Sequence, residues 1–405
     1  MKTENPPQSL RRVWYVTGAH LTIDFYMTLT PPLWAFFKTY FALTVAQFAY
    51  LPSAIVFCGS ITQPLMGYFS DGRNRMALVA LGVLICGVFV SCIGFAPSAF
   101  FLALFLICAA FGSSLFHPTA GGLVTALAPK RANLAMAIFL TGGTLGMTFA
   151  SVAGTQIVER YGLDYLWIIA IPALILAPFI YYQSRQMSEG ERNVNVGKID
   201  FSVLRAAETR PLWTLYFISV FRSIIHTGFV SFTAILGESR GWSTGEIGWI
   251  FSGYLLASTI GRMLGGFLAD RMSQRKLLAF SCGSSAIFHA AFCLTDGPLS
   301  IACFWMAGFL FDLGITTNIA LAQRFLPNNT STATGLIMGF SWSVAGLAML
   351  GVGRVAQWTS TATALTGVSL FLIPATILVA FLPSESQRAA IDKENQDAKE
   401  NTLTP

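Results

Sequence analysis

The sequence predicts an all-α membrane protein, with twelve transmembrane helices in two pseudo-symmetric six-helix bundles. Three observations carry that prediction. Hydrophobic residues make up 54% of the 405-residue chain and charged ones 11%, with a mean hydropathy of +0.62, whereas soluble domains carry about 25% charged residues. Apolar runs long enough to cross a bilayer, roughly 20 residues each, follow one another along the chain. A short cassette also occurs twice: Gly67-Tyr68-Phe69-Ser70-Asp71-Gly72-Arg73-Asn74-Arg75 ends one apolar run, and Gly266-Phe267-Leu268-Ala269-Asp270-Arg271 ends another in the second half. A pattern repeated at that distance is the trace of an internal duplication, and membrane bundles built from repeats are the architecture of carriers that rock about a central site.

Span 1 covers Val13–Phe37; it is too long for a signal peptide, holds His20 and Asp24 and has no small-residue cleavage site, so it stays as a helix. Span 2, Leu43–Phe69, runs into the first cassette, and span 3 covers Ala77–Phe95. Span 4, Ala99–Val124, contains Pro118, whose missing N–H frees the Ser114 carbonyl and kinks the helix. Span 5 covers Leu134–Val158 and span 6 Tyr165–Gln183. The longest polar interval then reads as a linker over residues 184–211, between halves at 1–183 and 212–383. Spans 7 to 12 cover Leu212–Leu236, Ile247–Ala269, Leu277–Leu294, Leu299–Ala322, Ala333–Gln357 and Ala362–Leu382, with the second cassette closing span 8. Residues 384–405 are polar and lack aromatics, the composition of a disordered tail.

Lys and Arg fix the orientation. With the N-terminus inside, the bases at both cassettes, in the linker and in the tail face the cytoplasm, while the far side keeps only Lys38, Arg160, Arg240 and Arg354. Both termini are therefore expected in the cytoplasm, in an inner membrane. The net charge of +6 sits in these topogenic positions, so nucleic acid is not an expected partner. The seven Cys lie inside spans without metal-ligand spacing and read as small packed hydrophobes. No nucleotide-binding loop or nucleophile constellation is present, so neither ATP drive nor an enzyme activity is expected, and no cofactor.

The paired cassettes, with Gly and Asp four residues apart and bases beyond, resemble the loop motif of the major facilitator superfamily. His20-Leu21-Thr22-Ile23-Asp24, Gln63-Pro64, Phe116-His117-Pro118 and Gly142-Gly143-Thr144-Leu145-Gly146, in that order, resemble its fosmidomycin-resistance type of efflux carrier. The first cassette departs from the superfamily pattern at Asn74, which stands where Gly is usual and suggests a left-handed turn. The resemblance implies the major facilitator fold, a monomer, and a central path lined by spans 1, 4, 7 and 10.

Ionisable residues inside spans are costly and tend to face a cavity. His20, Asp24, His117, Arg222, His226 and Asp312 lie on those four spans, with Arg262, His289 on spans 8 and 9. At 1.5 Å rise per residue, His20 and His117 fall about 10 Å from the cytoplasmic ends, with Asp24, Arg222 and Asp312 near 15 Å. His20 and Asp24 share a helix face. Together with His117 and Asp312 they are the expected proton-coupling groups. Arg222 is the expected anchor for an anionic solute, since guanidinium forks onto carboxylate or phosphonate, with His226, Asp24 and Asp312 around it; its competing role is a permanent salt bridge to Asp24 or Asp312. His289 is expected to pack. Gly67, Asp71, Arg75, Arg262, Gly266, Asp270 and Arg271 are read as a cytoplasmic gate, the glycines for close helix contact and the aspartates against helix N-termini. The function expected is proton-coupled efflux of a small organic, anionic solute by alternating access, with protons, solute and the lipid bilayer as partners. Two alternatives stand beside it: uptake of an organic anion, and export of a divalent transition metal held by His20, Asp24, His117 and His226.

Overall fold

The computed structural model describes residues 6–70, 73–128, 131–187, 210–269, 271–326, 333 and 335–384; within these there is no β-strand. The helices are α1 (Pro6–Leu29), α2 (Trp34–Tyr40), α3 (Val45–Phe48), α4 (Tyr50–Ser70), α5 (Arg75–Ser91), α6 (Ala99–Leu127), α7 (Ala132–Tyr161), α8 (Ala170–Arg185), α9 (Arg210–Ser239), α10 (Thr244–Ala269), α11 (Gln274–Leu294), α12 (Gly297–Asp312), α13 (Ile315–Phe325), α14 (Ser341–Trp358), α15 (Thr361–Ser369) and α16 (Leu372–Val379). Among the described residues, ten stretches are long and apolar enough to cross a membrane. The two remaining expected spans are those carrying His20 and Asp24 (α1) and Arg262 (α10); they reach 24 and 26 residues and pack inside the bundle. Their shortfall in hydropathy comes from the residues that make them interesting.

Several spans are broken, each for a local reason. Pro31-Pro32 removes two N–H donors, so α1 stops at Leu29 and a 3₁₀ turn leads into α2. Span 10 divides between α12 and α13 at Leu313-Gly314, and span 11 opens with a π-helical stretch over Gly335–Phe340. The cassettes show the duplication in side-chain detail. Arg73 lies over the Phe69 ring at 4.2 Å and Arg271 over Phe267 at 3.8 Å. Asn74 accepts from Ala77 N (3.1 Å) to cap α5, and Ser273 caps α11 the same way through Lys276 N. Asn74 is therefore not in a left-handed turn: its φ is −65° and ψ 91°, the extended geometry of a helix N-cap.

Glycines bring the helices together where bulkier residues could not. Along α7 the glycines face α1 in parallel: a side-chain carbon at Gly142 would lie 2.5 Å from Thr17 Cγ2, and one at Gly146 2.0 Å from the Leu21 carbonyl oxygen. The two halves meet through α4 with α14 and α7 with α10. At the end where α2, α7 and α9 finish, the approach is tight. A carbon added at Gly353 would lie 2.3 Å from Ala49 Cβ, and one at Gly248 2.0 Å from Thr155 Oγ1; Ser252 Oγ donates to Thr148 O (3.0 Å), and Lys38 pairs with Glu238 (3.0 Å). Toward the cassette end the same seam slackens, to 2.9 Å at Gly346 against Phe57 N and 3.8 Å at Gly339 against Ser60 O. Along α4 and α14 the halves thus form a V that widens toward the cassettes.

Candidate functional site

The i,i+4 spacing on α1 stacks His20 over Asp24, with His20 Nε2 3.1 Å from Asp24 Oδ2. His117 arrives from α6 and sets its Nε2 3.5 Å from Asp24 Oδ1. His20 and Asp24 are buried and His117 is partly exposed. The His20 ring stacks on Phe139 at 3.9 Å, and its Nδ1 lies 2.8 Å from the Phe139 carbonyl oxygen. A carbonyl only accepts, so Nδ1 carries a hydrogen. Nε2 then meets the carboxylate with a lone pair unless one more proton sits between them, on the imidazole or on Asp24. One proton placed there would make the contact a hydrogen bond, whichever partner carried it. Gly143 of α7 makes room for this: a carbon there would lie 2.5 Å from both Asp24 Oδ2 and His20 Cε1.

The second charged group is in the other half. Arg262 Nη2 donates to Asp312 Oδ2 at 2.7 Å. α10 and α12 are held backbone to backbone there, since carbons at Gly261 and Gly265 would lie 2.0 and 2.1 Å from the carbonyl oxygens of Phe309 and Leu313. The Arg262 side chain remains 37% exposed. It is thus the guanidinium that pairs with Asp312.

Several expected roles change with this geometry. Arg222 reaches neither carboxylate; it turns into its own half, where Nη2 donates to the Phe311 carbonyl (2.6 Å) and the guanidinium covers the Phe311 ring at 4.2 Å. Its place on α9 aims it at α11 and α12 rather than across the seam. Arg262, read as a gate residue, takes the salt bridge instead. His226 sits against Trp342 (5.1 Å) and Phe311 (6.3 Å), so the four-residue metal set is not assembled; His20, Asp24 and His117 alone bring ligand atoms within 4.8 Å of one another, and these atoms already face one another in pairs. His289 is packed as expected, against Phe229 at 4.3 Å. Gly67 touches Pro118 at 3.4 Å, but Gly266 faces open space: the close approach belongs to Gly265, one residue and about 100° around the helix. Arg75 is buried at the start of α5 and Arg271 lies on Phe267. Asp71 and Asp270 lie outside the described residues. Phe139 and Gly143 were missed; the Gly142-Gly143 pair was the only visible signal for the second.

The sequence pattern described as Major Facilitator Superfamily matches residues 16–349 and again 215–404. The Fosmidomycin resistance protein of Escherichia coli (strain K12) is 23% identical over 92% of this chain and 93% of its own. The Gentisate transporter of Corynebacterium glutamicum is 23% identical over 78% of this chain and 74% of its own. Among solved structures, the bacterial homolog of the human lysosomal transporter Spinster, in an inward-facing and occupied conformation, superposes with a TM-score of 0.76 at 16% identity, over 94% of this chain and 97% of that one.

Proposed function

We propose that this chain, which belongs to the Major Facilitator Superfamily, carries a small organic anion together with a proton across the cytoplasmic membrane. Membership makes it a multi-pass membrane transporter and not an enzyme. The observation that carries the finer reading is the buried His20–Asp24 contact, with the Phe139 carbonyl fixing the imidazole. An apolar bundle that keeps an ionisable pair at such depth is using it.

The charge arithmetic gives the coupling its sign. With the proton in place, His20 satisfies Asp24, and the part-exposed Arg262 is left with one buried carboxylate to balance, so its fork is available to a carboxylate or phosphonate. When the proton leaves, Asp24 competes for the same guanidinium. Proton and anion therefore favour each other's binding, and by reciprocity each raises the affinity for the other. Ligands that bind together move together. This favours uptake down an inward proton gradient over the efflux read first from the sequence. Efflux remains the second reading, favoured by the name of the Escherichia coli relative. The bases at the cassettes support a cytoplasmic location for that end, so that the V opens inward, with a single chain as the working unit.

The test is binding and transport in proteoliposomes with gentisate and fosmidomycin as probes. Affinity is expected to rise at low pH by a factor within about 5 to 150, the usual span of coupling between sites. Affinity that falls on acidification would replace symport with antiport, and pH-independent binding would remove proton coupling altogether.

A further inference from the structure

The break in span 10 lies beside Asp312 and has an identifiable cause. In an uninterrupted helix Gly314 N would donate to the carbonyl of Leu310, four residues back. Here Ser281 of α11 stands between them: its Oγ accepts from Gly314 N (3.1 Å) and donates to Leu310 O (2.8 Å), with Phe311 O also in reach at 2.9 Å. Phe311 O, the ladder partner of Ile315 N, is taken by Arg222 Nη2 at 2.6 Å. Arg222 Nη1 also lies 3.4 Å from Ser281 Oγ, which ties the two intruding side chains together. A side chain inserted into the hydrogen-bond ladder is one of the few physical causes of a sharp helix bend.

We propose that Phe311–Gly314 is a switchable hinge, wedged open by Ser281 and Arg222, and that withdrawal of the wedge restores the ladder and swings α13 relative to α12. Gly314 N, Leu310 O and Phe311 O have side-chain partners here and would have ladder partners in a straight helix. Wedged, the ladder groups bond Ser281 and Arg222; straight, Gly314 N bonds Leu310 O and Ile315 N bonds Phe311 O. Two satisfied arrangements of one backbone are what a bistable element requires. Arg222 is then a positioning residue: it sets the direction in which Asp312 meets Arg262 without touching the solute. The inference stands apart from the identity or charge of the cargo.

The hinge is read by spin-label distances between Arg324, exposed on α13, and Phe381, exposed beyond α16. Labels carried on unnatural amino acids leave the seven native cysteines in place. Ser281→Ala removes the wedge. Gly314→Ala attacks it from the other side, since the added carbon would lie 2.8 Å from Ser281 Oγ. Both variants are expected to shift the distance distribution by several ångström in one common direction, and Ser281→Thr, which keeps a hydroxyl, should restore the wild-type distribution. Distributions that overlay the wild type in both alanine variants, or that move in opposite directions, overturn the proposal. A variant that does not fold is replaced by the other, since each reads the same wedge.

Discussion

On α1, His20 and Asp24 stand four residues apart and touch; on α9, at the corresponding place in the second half, Arg222 and His226 keep that spacing and part company. The difference teaches what spacing does and does not decide. Four residues place two side chains on one face, but the neighbours supply the partners. On α1 the glycines of α7 allow a carbonyl and a second histidine to close around the pair. On α9 the longer arginine reaches past its helix mate to a carbonyl exposed by a broken helix. Around Asp24 the side chains of His20 and His117 meet the carboxylate directly. In the second half Arg222 Nε and Arg262 Nε are buried without a hydrogen-bond partner. Buried donors without acceptors are expensive unless something fills them.

The largest expected effect is at Asp24. Asp24→Asn removes the acceptor of the shared proton; gradient-driven accumulation in proteoliposomes should fall to background while solute exchange continues, because exchange needs no net proton movement. Accumulation at the wild-type level would remove Asp24 from the coupling. Next, Arg262→Gln leaves the Asp312 carboxylate buried without its cation. The cost should be about 2 kcal/mol, short of the 3–5 kcal/mol for a fully buried pair because the guanidinium is 37% exposed. Adding Asp312→Asn should recover most of the melting temperature but not transport; a double variant that transports like wild type would show that the pair only holds the half together. Gly143→Ala pushes a methyl against both His20 and Asp24. It should cost about 1–3 kcal/mol, as overpacking does, and should lower proton-coupled transport more than Gly67→Ala, whose added carbon meets Pro118 at an ordinary 3.4 Å; equal effects would break the argument that the glycine serves the pair. Smallest is Lys38→Met, which removes a part-exposed ion pair with Glu238 and should change stability by at most about 1 kcal/mol.

The positions of the spans were legible because a bilayer imposes one length on every crossing, and that length can be counted. The breaks at Pro31-Pro32 and in span 10 were not equally visible. Proline announces itself, whereas Ser281 interrupts the hydrogen-bond ladder of a helix to which it does not belong. The same limit explains the site. His20 with Asp24 is a contact within one helix and can be read from four residues; Arg262 with Asp312 joins residues fifty apart on helices whose phase depends on the glycines between them. Depth counting put Arg222 level with the carboxylates, but it carries no information about which way a side chain turns around its helix. Asn74 misled for a related reason, since Asn suits both a left-handed turn and a helix cap, and only the backbone chose the cap.

α7 has a place that its sequence hides. One stretch of it, from Gly142 to Gly146, lies tight against α1, with glycines at three of its five positions facing Thr17, the His20–Asp24 pair and the Leu21 backbone. A later stretch, from Thr148 to Glu159, bears on α10 of the opposite half. Mechanically this makes α7 a stiff beam with the proton pair at one bearing and the neighbouring bundle at the other. A displacement of α1 would pass along this beam and reach the second half as torque.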